Sequence, residues 1–360
     1  MLTKLHIVNY KCLDEAIIDF APLTIITGTN SSGKSSVLQT ILLSAYFLAP
    51  LESVDIRERL SELSKVMKRY SISNFKEVVN QYSSNKEINL NLTFDNIHQI
   101  DIKILNDYKT GAISKDTLPK ISYEENLYYL SAHRTGQDEL SLINSSLKIG
   151  HNGDCAIGTF ESFKDNAIDA NLIFNEEIGS TTLKHNLAFW LSRITGCNIS
   201  FQTERISGNY VKSLFIVEDL GEKSPNLVGA GNGYLTTLLI MCLIAKPGDI
   251  LLIENPEIHL HPGAQSKTGE FLAFISSRGV QLVVETHSEH LINRIRYEVY
   301  SPESSIKNEN VIIHYKPSAR EKFIPIHVNA RGHFTDLENN RINFPSGYFD
   351  ATLDKLMEIG

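Results

Sequence analysis

Leu23-Thr-Ile-Ile-Thr27 runs directly into Gly28-Thr29-Asn30-Ser31-Ser32-Gly33-Lys34-Ser35, and an apolar helical stretch from about Lys34 to Tyr46 follows. The octet fits G-x-x-x-x-G-K-[ST]. Its context is the one that pattern requires: before it a short apolar strand, of the kind buried on both faces of a sheet, and after it a helix. Glycines let the backbone curl so that successive N–H groups point at phosphate oxygens. Lys34 offers a point charge to the β and γ phosphates and Ser35 a hydroxyl to Mg²⁺, while the helix adds the positive end of its dipole. Gly28, Thr29, Asn30, Ser31, Ser32, Gly33, Lys34, Ser35 and Ser36 are therefore expected to bind ATP, with Ser35 on the metal.

The rest of the chain reads as α/β around this loop. Residues 2–8 and 15–20 alternate as strands ahead of it. Residues 51–80 carry helical periodicity, residues 88–94 and 99–105 alternate as strands, and 126–131 reads as another strand. The segment 140–185 is the least readable. Helix resumes near 183–194, with strands at 199–203 and 213–217. The last third alternates cleanly: helix 233–245, strand 250–254, helix 264–277, strand 280–285, helix 288–298 and strand 310–315. At ~150 residues per domain, 360 residues suggest two domains or one large α/β domain with an insertion. A net charge of −8 disfavours a uniformly basic nucleic-acid binder but not a local basic groove. Cys12, Cys155, Cys197 and Cys242 form no C-x-x-C pair, which argues against a disulfide scaffold and fits a reducing cytosol. Met1-Leu-Thr-Lys-Leu-His-Ile7 has no unbroken apolar run, so no signal peptide is expected. The longest apolar stretch, Leu235–Ala245, is too short for a bilayer. A cytoplasmic protein without a membrane partner is the expectation.

Three further stretches carry chemistry. Ile250-Leu-Leu-Ile-Glu254-Asn255-Pro256-Glu257 is an apolar strand ending in acid, where a carboxylate such as Glu254 can hold the magnesium water opposite Ser35. His259 and His261 follow directly; their i, i+2 spacing without nearby cysteine is a poor zinc pattern. Val280–Val284 runs into Glu285-Thr286-His287-Ser288, which would place His287 near the γ-phosphate while Ser288 caps the next helix. Gly229-Ala230-Gly231-Asn232-Gly233 opens an apolar helix, either as an anion site or as a plain turn.

Taken together these motifs resemble the ABC-class ATPase heads of the SMC and recombination-repair type. The closer likeness is to compact prokaryotic ATPases related to the overcoming-lysogenization-defect ATPases, often found in anti-phage defence islands. Ile26–Ser36, Leu130–Gly136, Ile253–Pro262 and Gly279–Arg296 carry it, and Asn343–Asp350 resembles the W-P-x-G-F-F-D tail of one such family. The resemblance implies an ABC-type head over residues 1–335, with a mixed or parallel sheet core, an N-terminal antiparallel part and an inserted α/β subdomain at about 50–125. A tail segment, 336–360, follows. It further implies that Glu254 takes the Walker B place on Mg²⁺, that His287 is the switch histidine, and that Gly229 and Gly231 belong to a signature loop. That loop closes over ATP held by another subunit, in a head-to-tail dimer or higher oligomer. Arg134 would lie in the region linking nucleotide to partner.

Two departures from the family pattern stand out. Relatives often have Glu-Glu-Pro-Glu, with the second Glu positioning the attacking water; here that place is Asn255, which cannot take a proton, and Glu257 is the remaining candidate. A serine common in the signature is replaced by Gly233. Both point to tight ATP binding with slow hydrolysis, a switch rather than a motor. No D-x-D follows the last ATPase helix, so a nuclease or toxin would reside on a separate effector chain. A DNA-repair clamp is the alternative. Its basic surface would rest on little more than Lys65–Arg69. A non-hydrolysing nucleotide-gated scaffold is the third reading.

Overall fold

Strands that are apolar along their whole length cannot leave either face in water, and here they stack side by side. The computed structural model describes the chain except for residues 50–53, 71, 73, 84–85, 106–109, 112–120, 135–137, 145, 175–178, 219 and 346–360. Its central sheet has seven strands, in the order Phe334–Thr335, Ile324–Val328, Val311–Lys316, Leu23–Gly28, Gln281–Glu285, Ile250–Glu254 and Leu127–Leu130. The five from Val311–Lys316 to Leu127–Leu130 run parallel, and Ile324–Val328 and Phe334–Thr335 add an antiparallel edge. Parallel pairing brings the C-terminal ends at Gly28, Glu254, Glu285 and Lys316 to one edge of the sheet, where ligands of open α/β folds bind.

Alternation along each strand feeds two separate cores. Leu251, Ile253, Leu282 and Val284 face a cluster that includes Trp190, Phe271 and Leu239. Ile250, Leu252 and Val283 face the other cluster, formed with the helix Lys34–Leu48 and the N-terminal sheet. That second sheet is antiparallel and runs Leu13–Asp19, Leu2–Tyr10, Ile88–Phe94, His98–Ile104 and Thr110–Gly111. Gln281 ties the sheets together: its Oε1 accepts from Leu2 N–H at 2.9 Å and its Nε2 donates to the Leu2 carbonyl at 2.6 Å. A third, smaller sheet joins Ile199–Ser207, Tyr210–Val217, Leu140–Leu142 and Gly221–Lys223.

The mixed α/β architecture with an antiparallel N-terminal part is the one expected. The segment 50–125 supplies the strand Ile88–Phe94, which pairs directly with Leu2–Tyr10, Leu5 opposite Leu92. Its helical reading divides: Val54–Arg69 is a helix, and a short turn of helix at Phe75–Val78 follows Asn74. Asn74 stands at the N-cap of that turn, a position asparagine favours. In the unreadable 140–185 stretch the structure adds a strand, Leu140–Leu142, and an eight-residue helix, Ala156–Phe163. The final strands at 324–335 were not expected; Pro325 and brevity hide them. Of the tail, Phe344 packs on Tyr315 and Phe334, ring centroids 5.7 and 4.8 Å away. Ser346–Asp350 of the tail motif, Pro50, and Thr135–Gly136 of the Leu130–Gly136 stretch lie outside the described residues. Among the described residues no helix is long and apolar enough to cross a membrane.

Candidate functional site

The loop is built as its glycines require. Gly28 has φ 138°, and a Cβ there would run into the backbone of Lys316. Gly33 has φ 102° and precedes the helix, where a Cβ would meet Cys12 Sγ. The loop is pinned from outside: Thr29 N–H donates to the Lys316 carbonyl at 3.1 Å and Thr29 Oγ1 to the Pro317 carbonyl at 2.7 Å. No side chain caps the helix, and its first turn carries no acid, so its dipole and orphan N–H groups stay available to an anion. Lys34 Nζ folds over the loop onto the Thr29 carbonyl at 2.6 Å. Burial lowers its pKa, and Glu285 opposes that shift.

A cavity of about 440 Å³ opens over the loop, lined among others by Asn30, Ser31, Lys34, Ser35, Glu285 and His287. The P-loop and the proposed switch histidine therefore share one site. Burial, then the Lys34 charge, lower the pKa of His287, so its imidazole is neutral at pH 7.

The three acids at the sheet edge have different environments. Glu254 and Glu285 are register partners on neighbouring strands. Glu254 Oε1 accepts from Tyr129 Oη at 2.8 Å and its Oε2 from Ala132 N–H at 3.1 Å. Tyr129 Oη lies a further 2.8 Å from Tyr70 Oη, which reaches Ser131 Oγ at 2.9 Å. Glu285 instead meets the phosphate loop, its Oε1 accepting from Ser35 Oγ at 3.0 Å. Its Oε2 is buried without a hydrogen-bond partner among the described residues. Burial, reinforced by Glu254, pushes the Glu285 carboxyl up to about 7. Glu257 Oε1 accepts from His287 N–H at 2.8 Å and from Asn255 Nδ2 at 3.4 Å, linking the two strand ends. Glu285 did not stand out in the sequence, although it too ends an apolar run in acid; Tyr70 and Tyr129 carried no local signal.

Arg134 is buried beside the same turn. Its Nη2 donates to the Glu254 and Asn255 carbonyls, while Nε and Nη1 have no partner among the described residues. Burial lowers its pKa to about 10 against the pull of Glu257 and Glu254.

Gly229 and Gly231 stand apart from the cavity lining. Gly229 has φ 95° ahead of the helix Ala230–Ile244, with open space around it. Gly231 packs against the His259 carbonyl so closely that a Cβ would overlap it, and Tyr234 faces the His259 ring at 5.3 Å. His261 caps the helix Pro262–Ser277 by accepting from Gly263 N–H, and Ser288 caps Glu289–Tyr300 as its position suggested. Among the described residues no three His, Cys, Asp or Glu side chains are grouped to hold a metal by themselves. A cation here would need oxygens from the nucleotide, which is how Mg²⁺ is usually held. Ser35, the buried Glu285 carboxylate and the glycine cradle fit that group.

Two family models match the sequence. One, described as an AAA ATPase domain, matches residues 1–177. The other, described as "AAA domain, putative AbiEii toxin, Type IV TA system", matches residues 160–293. No curated protein matches the chain. Among solved structures it is similar to the SmcHead bound to the C-winged helix domain of ScpA, with TM-score 0.57 and 15% identity over 91% of this chain and 97% of that one. It is also similar to the Smc head domain with an extended coiled coil bound to the C-terminal domain of ScpA derived from Pyrococcus furiosus, with TM-score 0.54 and 13% identity over 99% of this chain and 98% of that one. At such identities the likeness speaks for the fold. The matched AAA domains and the SMC-head fold together support an ATP-binding ATPase of the AAA/ABC type.

Proposed function

We propose that this chain is a slowly hydrolysing ABC/SMC-like ATPase whose ATP-dependent association controls a separate effector, such as a nuclease or toxin, in anti-phage defence in the cytoplasm. The observation that carries the nucleotide part is the shared cavity of Lys34, Ser35 and His287 at the N-terminus of an uncapped helix. ATP phosphates would draw Lys34 Nζ from the Thr29 carbonyl and take the loop N–H groups as donors. Mg²⁺, when bound, neutralises the β and γ oxygens. A neutral His287 can donate to the γ-phosphate without competing with Lys34 for charge. Slow turnover follows from Asn255, whose amide bonds Glu257 and accepts no proton.

The head-like fold supports association through the Gly229–Gly233 turn, and the similarity to an AAA domain described as a putative AbiEii toxin of a Type IV TA system supports a conflict role. The Asn255 side chain also favours a second reading, a nucleotide-gated scaffold that never turns over. Calorimetry with ATP, single-turnover hydrolysis and sedimentation with and without ATP and Mg²⁺ test these together. Binding without association would remove the switch, and association without hydrolysis would favour the scaffold.

A further inference from the structure

Glu285 is 5% exposed, yet one of its carboxylate oxygens has no donor among the described residues. A buried carboxyl oxygen without a donor is unfavourable, so a purely structural role would be better met by an amide that the site could satisfy. Its other oxygen is on Ser35, the hydroxyl that P-loops turn toward the metal. Glu254, the acid in the usual Walker B place, has both oxygens engaged by Tyr129 and Ala132. Strand order explains the difference. The strand ending in Glu285 lies between the P-loop strand and the strand ending in Glu254. Glu257 Oε2 also lacks a partner among the described residues, but the other oxygen of Glu257 is held by His287 N–H rather than by the phosphate-loop hydroxyl.

We infer that Glu285, through its unpaired Oε2 and together with Ser35 Oγ, is the carboxylate that holds Mg²⁺ at the nucleotide, with Glu254 fixed behind it by Tyr129. The inference rests on the ATP-binding reading above. Mg²⁺ keeps near-octahedral oxygen coordination and takes one or two carboxylates plus phosphates, which this pair and an ATP tail supply.

The test is the affinity for ATP, measured by calorimetry in excess Mg²⁺ and again in EDTA, for wild type, Glu285→Gln and Glu254→Gln. Wild type is expected to gain affinity with Mg²⁺. Glu285→Gln should lose at least about tenfold of that gain while binding in EDTA is unchanged or tighter. Glu254→Gln should keep most of the gain. Mn²⁺ titration followed by electron paramagnetic resonance, with ATP present, should show the same order. Should Glu285→Gln fail to melt cooperatively, Glu285→Asp serves instead: it keeps the charge but withdraws it by one methylene, and should lose at least about threefold of the gain. A full Mg²⁺ gain in the Glu285 variants, or its loss only in Glu254→Gln, overturns the inference and leaves the ATP reading standing. A wild-type protein that binds no ATP under either condition overturns both.

Discussion

Arg134 and Asn255 are joined by a part-buried hydrogen bond of 2.7 Å from the guanidinium Nη2 to the Asn255 carbonyl, and the same nitrogen also makes a buried bond to the carbonyl of Glu254. Asn255 sits at φ 43°, a left-handed conformation that asparagine tolerates better than most residues. The clamp therefore holds the sharp turn by which the chain leaves the sheet at its acidic edge. Removing the guanidinium would take this donor from the Glu254 carbonyl, leave the Asn255 carbonyl with its bond from Ile258 N–H, and strip Glu254 and Glu257 of their buried counter-charge. Arg134→Met is expected to cost about 3 kcal/mol, read as a lower melting temperature by calorimetry. A variant that melts like wild type would show the turn to be held by other contacts.

Lys34→Ala removes the cation nearest the phosphate loop. ATP affinity should fall at least about tenfold, with the fold intact, because among the described residues Lys34 Nζ bonds a loop carbonyl rather than a group of the core. Equal affinity of the folded variant and wild type would overturn the P-loop assignment.

Asn255→Glu would place a carboxylate where the proposed function expects a base. The new carboxylate would replace an amide 3.4 Å from Glu257 Oε1, and two acids that close share a proton, which raises one pKa toward the range useful to a base. Single-turnover hydrolysis should rise about tenfold or more. If it does not, and Glu257→Gln abolishes turnover instead, then Glu257 is the base.

Gly231 and Leu227 separate packing from association. A methyl at Gly231 meets the His259 carbonyl, so Gly231→Ala should lose about 1–3 kcal/mol in a thermal melt. Leu227 is 76% exposed just before the Gly229 turn, and Leu227→Asp should leave stability within about 0.5 kcal/mol of wild type. Light scattering with ATP and Mg²⁺ should show association in wild type and its loss in Leu227→Asp. Undiminished association in that variant would remove this turn from the interface.

Much of the molecule is written in local pattern. The phosphate loop, the buried strands Leu23–Gly28, Ile250–Glu254 and Gln281–Glu285, and the helices between them follow from apolar runs, glycine positions and Ser288 as a cap. These features depend on a few neighbouring residues, so the sequence alone determines them. The helix Ala156–Phe163 and the strands near Ile324–Val328 escaped notice because they are short and are held by the cores they pack against rather than by their own propensity. The acids show the limit most clearly. Glu254 and Glu285 have the same local signature, a buried apolar strand ending in a carboxylate. Which of them meets Ser35 depends on which strand neighbours Leu23–Gly28, and the pairing of Ile26 with Glu285 is a contact across more than 250 residues of chain. Likewise only the folded chain brings Arg134 to the Asn255 turn and Gly231 to His259. Strand order and such close approaches are settled by the burial of two faces of one sheet at once, a global condition that no local stretch of sequence expresses.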